Sequence, residues 1–290
     1  MADLEAVRLN GERLPVDAAS VPVLERGLHY GDALFETIAC TGGQPRLLGR
    51  HLRRLARGCE RLGIDPGDTG TLDDEVRELA AQASRSVIKL LVTRGAALGR
   101  GYALTGRERP TRILLRYAWP AEDPVAQQEG VRVRLASVRL GENPALAGIK
   151  HCNRLEQILA RREWTEADIA DALMFSSSGA LVSGTMSNVF LVRGSKILTP
   201  RIDRCGVAGV MRELVLELAQ AAAIEAEERR LDAADLETAD EIFLTNALIG
   251  IRPVRELAEN RRLPGPATRQ LQRQLAAYLA GGPKPGDPRD

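Results

Sequence analysis

The sequence predicts a mixed α/β protein built as two domains. Three observations carry that prediction. Strand-like and helix-like patterns alternate along the chain. Its 290 residues are enough for one large or two medium domains. An aperiodic stretch with two prolines, "PAEDPVAQQEG", interrupts the pattern at residues 120–130. The expected layout is an α/β domain over 1–119, a linker over 120–130 and a larger domain over 131–280. The last residues, 281–290, "GGPKPGDPRD", are Gly/Pro-rich and charged, the composition of a disordered tail.

The elements follow in order. "AVRLNGERLP" reads as a hairpin, because Asn-Gly suits the positive φ angles of a tight turn. "HLRRLARGCERLGI", residues 51–64, is helical, with Leu52, Leu55, Cys59 and Leu62 on one face. A second helix is expected over 74–83. "SVIKLLVTRG" and "TRILLRYAW" read as neighbouring strands rich in branched residues, joined by the long loop "AALGRGYALTGRERP". "VRVRLASVRL" alternates as a strand does, and "LAGIKHCNRLEQILARREW" reads as a flexible run entering an amphipathic helix with Lys150 at its mouth. "DALMFSSSG" and "MSNVFLVRGSKILTP" read as strands. "GVAGVMRELVLELAQAAAI" is a helix with Met211, Leu214, Val215, Leu218 and Ala222 on one face. Strand-like segments at 225–231 and 240–245 and a helix over 266–280 complete the pattern.

Composition narrows the function classes. The formal net charge is +1, from 40 basic and 39 acidic residues, so nothing points to a nucleic-acid or membrane-surface partner. No apolar run approaches bilayer length, and the charged N-terminus does not read as a signal peptide, so a cytoplasmic location is expected. Cys40, Cys59, Cys152 and Cys205 lack CxxC spacing and read as reduced thiols, and no metal site is expected from three scattered histidines.

Arginine far outnumbers lysine, which draws attention to the four lysines, Lys89, Lys150, Lys196 and Lys284. A lysine at a helix start opposes the helix dipole, and a residue placed against local preference is a candidate for chemistry. A lysine amine attacks carbonyl compounds and, once freed, acts as a base. The competing reading is an ordinary surface charge. "RCGVAGVMR", residues 204–212, is a glycine-bearing loop entering a helix, a suitable anion site or an ordinary join. Arg54, in "HLRRL", offers a fork to phosphate or is one more solvated arginine among Arg50, Arg53 and Arg57. "TNALIGIRPV" and "SGTMSNVF" place small polar residues at strand ends, facing a ligand or closing turns. Arg100 and Tyr102 lie on the long loop, where an arginine suits a substrate carboxylate.

Taken together and in this order, "RGLHYGDALFET", "HLRRL", "GIKHCNRLEQIL", "GTMSNVFLV", "DRCGVAGVMR" and "TNALIGIRPV" resemble the class IV, or fold-type IV, pyridoxal-phosphate enzymes. The resemblance spans nearly the whole chain. Within the family, "GRGY", "LAGIKHCNRLEQ" and "NAL" resemble the 4-amino-4-deoxychorismate lyases more than the branched-chain or D-amino-acid aminotransferases, which remain the alternative. The resemblance implies two α/β domains with the cofactor, pyridoxal 5′-phosphate, between them, and a homodimer acting on a small molecule. It implies that Lys150 holds the cofactor covalently and that Arg54 binds its phosphate together with the amides of Val210 and Met211. Asn246 and Ala247 would close the phosphate cup. Tyr30 and Phe35 would line the substrate pocket, and Arg100 and Tyr102 would meet substrate carboxylates. One departure stands out. Most of the family carries a glutamate, as partner of the pyridine nitrogen, where this chain has Ser183.

Overall fold

The computed structural model describes residues 4–97, 99–121 and 123–281. The chain folds as two compact units. The first runs to Ala121 and also takes in Ile149–Asn153; the second starts at residue 122 and leaves out that inserted segment. The expected tail falls, from residue 282 on, outside the described residues.

The first unit contains β1 (Leu4–Leu9), β2 (Glu12–Leu14), α1 (Arg26–Tyr30), β3 (Ala33–Thr41), β4 (Gln44–Pro45), α2 (Leu48–Leu62), α3 (Thr69–Ala80), β5 (Arg85–Thr93) and β6 (Thr111–Ala118). Its strands form one antiparallel sheet in the order β2-β1-β6-β5-β3-β4. The Asn10-Gly11 turn closes the first hairpin with φ angles of 51° and 92°, the left-handed values the dipeptide tolerates. β5 and β6 pair directly, as the sequence suggests. Helix α3 begins at Thr69, earlier than expected, because the Asp68 side chain caps the amides of Gly70 and Thr71.

Helix α2 departs from its simple apolar stripe. Leu55 and Cys59 are buried as expected, but Leu52 and Leu62 are only half-buried, and Arg50, His51 and Arg54 are buried in their place. A helix that buries three basic side chains needs anionic partners.

The second unit contains α4 (Pro124–Glu129), β7 (Val131–Leu135), α5 (Leu155–Arg161), β8 (Ile169–Phe175), β9 (Leu181–Gly184), β10 (Asn188–Arg193), β11 (Lys196–Pro200), α6 (Val210–Ala221), β12 (Ala226–Arg229), α7 (Ala233–Glu237), β13 (Glu241–Asn246), β14 (Gly250–Leu257), β15 (Asn260–Arg261) and α8 (Pro266–Ala280). Eight strands follow the order β12-β11-β10-β13-β14-β7-β8-β9, and β15 pairs with β14. The sheet is mixed: β11–β12, β14–β7 and β7–β8 are parallel and the other pairs antiparallel. Its core includes Leu173, Phe175, Val189, Leu191, Ile242 and Leu244. The stretch expected to be an irregular linker carries α4, started by Asp123, whose carboxylate accepts from Ala126 N at 2.8 Å, and by a proline in the first turn.

The setting of Lys150 also differs from expectation. Helix α5 starts at Leu155, so Lys150 precedes it by several residues and does not meet its dipole. Lys150 instead runs beside β3. Its carbonyl accepts from Phe35 N at 3.0 Å, Cys152 N donates to Ala33 O at 2.9 Å, and His151 bridges Leu34. This pairing joins residues far apart in sequence, which local periodicity does not show.

Candidate active site

Strand β3 organises the candidate residues of the first unit. Side chains alternate along a strand, so Leu34, Glu36 and Ile38 share one face and Phe35 and Thr37 the other. Glu36 is a charge among apolar neighbours, and α2 supplies its partners. Arg54 Nε donates to Glu36 Oε1 at 2.8 Å and its Nη2 to Oε2, while His51 Nδ1 meets Oε2 at 2.6 Å. All three side chains are buried. Burial by itself raises the pKa of Glu36, but the Arg54 guanidinium and the His51 ring overcome it and hold the carboxyl at about 2. Burial lowers the pKa of His51. Glu36 pulls it back, but Arg54 and Lys150 push it down, so the net shift is downward and favours the neutral ring. Arg54 is thereby a fixed fork. Arg53 and Arg57, its neighbours on α2, are exposed.

On the other face, the Lys150 Nζ lies 4.4 Å from the centroid of the Phe35 ring. Lys89 Nζ, from β5, lies 5.3 Å from the same centroid. Sequence reasoning missed Glu36 and gave Lys89, one of the lysines it singled out, no role. A glutamate inside "ALFETIAC" and one of only four lysines inside "SVIKLLVT" are the signals that could have found them.

Tyr30 and Tyr102 come together, with ring centroids 5.3 Å apart. Arg26 lies over the Tyr30 ring at 5.1 Å and donates to the carbonyls of Gly101 and Tyr102, both at 3.4 Å, which ties the long loop to α1. Tyr102 is 81% exposed. Arg100 is exposed too and forms no hydrogen bond or ion pair among the described residues. Within this unit, then, Phe35 stands beside Lys150, while Arg100 is brought to nothing.

The second unit holds the remaining candidates. Val210 and Met211 open α6 after Gly209, and no side chain caps that start. A Cβ on Gly209 would sit 2.0 Å from Asn188 Oδ1, so a larger residue there would have to displace the Asn188 side chain. Asn188 Nδ2 in turn donates to Val207 O at 2.9 Å, bracing the loop. Asn246 caps a turn: its Oδ1 accepts from the amides of Leu248 and Ile249, both at 2.9 Å, and its Nδ2 donates to Met186 O at 3.2 Å. Ala247 is half-buried within that turn. Ser183 is buried on β9, and its hydroxyl donates to Gly184 O at 2.8 Å. A further residue the sequence reading passed over, Asp171, accepts from Thr185 N, Ala172 N and the hydroxyls of Thr185 and Ser187.

The first unit offers a lysine amine and a buried guanidinium, groups suited to a carbonyl compound and to an anion. The second, taken by itself, offers uncapped backbone amides at a helix start, a place that suits an anion. Residues 33–257 match the amino-transferase class IV family, most of the chain. The chain belongs to that family. Its matched span begins at the first residue of β3 and ends at the last of β14, so it takes in Glu36, Arg54, Lys150, Ser183 and the start of α6. An aminodeoxychorismate lyase of Vibrio harveyi is 35% identical over 88% of this chain and 95% of its own. A putative branched-chain-amino-acid aminotransferase of Methanocaldococcus jannaschii is 32% identical over 93% and 94%. Among solved structures, 4-amino-4-deoxychorismate lyase from Pseudomonas aeruginosa is 46% identical, with a TM-score of 0.89 over 94% of this chain and 99% of that one. Class IV members are enzymes, and the mixed α/β architecture is the one this family shares.

Proposed function

We propose that this class IV enzyme is a 4-amino-4-deoxychorismate lyase, which uses pyridoxal 5′-phosphate to release pyruvate from aminodeoxychorismate and leave 4-aminobenzoate, a folate precursor. The observation that supports it most is likeness over nearly the full length to lyases at 35% and 46% identity. The residues present fit the cofactor. The first unit offers an amine and a fixed guanidinium, and the second offers helix-start amides behind a glycine whose replacement would push against the Asn188 side chain. Lys150 is the covalent anchor, Arg54 binds the phosphate, and the amides of Val210 and Met211 with Asn246 and Ala247 complete the cup. Ser183 would take the place of the residue that partners the pyridine nitrogen in most of the family. Tyr30, Phe35, Arg100 and Tyr102 meet the substrate. When bound, pyridoxal phosphate supplies an electron sink beside the substrate amine. Lys150, freed by the incoming amine, takes up the proton from the ring carbon that bears that amine. Loss of the enolpyruvyl group then makes an aromatic ring, a driving force that amino transfer lacks.

We further read the protein as a cytoplasmic homodimer acting on a small molecule, without nucleic-acid or membrane partners. The near-balanced charge supports the reading without nucleic-acid or membrane-surface partners, and no helix among the described residues is long and apolar enough to cross a membrane. The aminotransferase reading keeps its own support in the 32% identical M. jannaschii relative. One experiment separates the two. Purified protein is given aminodeoxychorismate, and pyruvate and 4-aminobenzoate are measured beside amino transfer from D-alanine and branched-chain amino acids. Release of both products, abolished in Lys150→Ala, is expected. Amino transfer as fast as 4-aminobenzoate release would overturn the lyase assignment. Borohydride reduction should leave the pyridoxyl mass on the Lys150 peptide, and Arg54→Ala should weaken cofactor retention far more than Arg53→Ala.

A further inference from the structure

Arg26 opens α1 and is 5% exposed, yet it serves four groups at once. Its Nε donates to Asp32 Oδ2 at 2.9 Å. Its Nη1 and Nη2 donate to the carbonyls of Gly101 and Tyr102, each at 3.4 Å. Its guanidinium also lies 5.1 Å from the centroid of the Tyr30 ring, which in turn lies 5.3 Å from that of Tyr102. Arg26 and Tyr30 are four residues apart on one helical turn, a spacing that brings side chains together. All of these residues belong to the first unit.

Asp32 is itself held. Arg94 Nε donates to its Oδ2 at 2.7 Å and Arg94 Nη2 to its Oδ1 at 3.1 Å. The same Arg94 guanidinium donates to the carbonyls of Leu62 and Gly63, both at 2.6 Å, at the end of α2. Burial by itself raises the pKa of Asp32, but the two arginines overcome it and keep the carboxyl ionised below its ordinary range. Two forks and one carboxylate therefore run in a row from the end of α2 to the backbone at Gly101 and Tyr102. A planar guanidinium suits each fork position, because it carries several donors in a fixed geometry.

The long loop depends on that row. Among the described residues, 99–104 forms no other hydrogen bond. Glu108 accepts from the amides of Thr105 and Gly106 at 2.7 and 3.0 Å, which braces the loop's own turn but ties it to nothing outside. Gly101 adjoins Arg100, so a fixed Gly101 carbonyl fixes where the Arg100 side chain starts.

We propose that Arg26 is a positioning residue for substrate: it holds the backbone at Gly101 and Tyr102 against Tyr30, and so sets how Arg100 and Tyr102 meet a substrate carboxylate. This deepens the proposed function and rests on those loop residues meeting the substrate. A loop that is ordered beforehand loses little freedom when substrate arrives. Releasing it therefore weakens binding more than it slows chemistry.

The test uses full-length, cofactor-loaded protein and two readouts. The first is limited trypsin cleavage after Arg100, followed by mass spectrometry, which needs no substrate. The second is the separate measurement of KM and kcat for pyruvate release from aminodeoxychorismate. In Arg26→Met and Arg26→Gln, cleavage after Arg100 should speed up about fivefold or more. KM should rise by about the same factor, with kcat within about twofold of wild type. Arg26→Lys keeps the charge beside Asp32 but lacks the fork, so most of both changes should remain. Wild-type cleavage in whichever of these variants folds, judged by circular dichroism, would overturn the proposal. So would faster cleavage with an unchanged KM, a kcat that falls as much as KM rises, or full recovery with lysine. A wild-type protein that releases no pyruvate would instead sink the lyase reading, and the cleavage rates would still decide whether Arg26 holds the loop.

Discussion

Glu36 and Asp171 are both carboxylates buried on strands, and the two units neutralise them differently. Glu36, 1% exposed, meets a guanidinium and an imidazole. Asp171, 3% exposed, meets only neutral donors: two backbone amides and two hydroxyls. No ion pair to Asp171 occurs among the described residues. The partners decide what each carboxylate fixes. Glu36 fixes a side chain, Arg54, in one orientation. Asp171 fixes a piece of backbone, the turn through Thr185 and Ser187 beside Ser183. A charged partner makes the first arrangement costly to half-dismantle, whereas neutral partners make the second local and milder.

The largest expected effect follows from that asymmetry. Glu36→Ala leaves Arg54 buried without its counter-charge, and removing one member of a buried ion pair costs about 3–5 kcal/mol. The thermal midpoint should fall by roughly 10 °C for a chain of this size. A fall no greater than that of Asp171→Asn would break the comparison, because the charged partner would then make no difference.

Next in size is a pH effect. The folded pKa of Glu36 is about 2, against an ordinary value of 4.5. A lowered carboxyl pKa stabilises the fold above the unfolded value, and that contribution disappears as pH falls from 4.5 through about 2. Its size is about 3 kcal/mol from the linkage of roughly 1.4 kcal/mol per unit. Glu36→Gln should therefore flatten the loss of stability on acidification, measured by urea unfolding at a series of pH values. An unchanged acid slope would place the wild-type acid sensitivity in other carboxylates.

How much of the fold and site is legible in the sequence depends on the range of each interaction. The Asn10-Gly11 hairpin and helix α8, expected over 266–280 and observed as Pro266–Ala280, rest on local signals and are readable. Strand β3 does not announce itself as a strand, although its nine residues carry the Phe35 and Glu36 positions. Its glutamate interrupts an otherwise apolar run, and the compensating partners His51 and Arg54 lie 15 and 18 residues away. The placement of Lys150 misleads for the same reason. A helix follows it, but its structural partner is β3, more than a hundred residues earlier. Lys150 and Arg54 are candidates from residue type and placement alone, each beside an ordinary surface-charge reading, and only the motif resemblance gives them definite roles. Asp171 lies inside a strand-like run, and nothing local marks it as the holder of a turn that begins at Gly184.

The third prediction probes that turn. Asp171→Asn replaces an acceptor by an amide whose NH2 group faces the donors of Thr185 and Ser187. Leaving such donors unsatisfied costs about 1–3 kcal/mol. The loss should be local: amide hydrogen exchange should rise over 184–187 well beyond any change in the first unit. Uniform acceleration across the second unit would mean that Asp171 supports the sheet as a whole and not the turn.

The smallest effect belongs to Ser183, and it tests where the Asp171 network ends. Ser183 precedes the turn and is buried, yet its hydroxyl donates to Gly184 O at 2.8 Å and not to the Asp171 carboxylate. The carbonyl it serves belongs to the next residue, and the pairing of β8 with β9 continues through Gly184 opposite Leu173. Ser183→Ala therefore removes a single neutral hydrogen bond at a nearly isosteric position. The expected cost is under about 1 kcal/mol, with a shift of the thermal midpoint of only a few degrees. Exchange over 184–187 should stay at its wild-type level, because all the donors to Asp171 remain in place. If Ser183→Ala loosened those amides as much as Asp171→Asn, the hydroxyl would belong to the same network. The two buried carboxylates would then differ less than their partners imply, and the neutral cluster would have to be redrawn to include the residue beside the proposed cofactor ring.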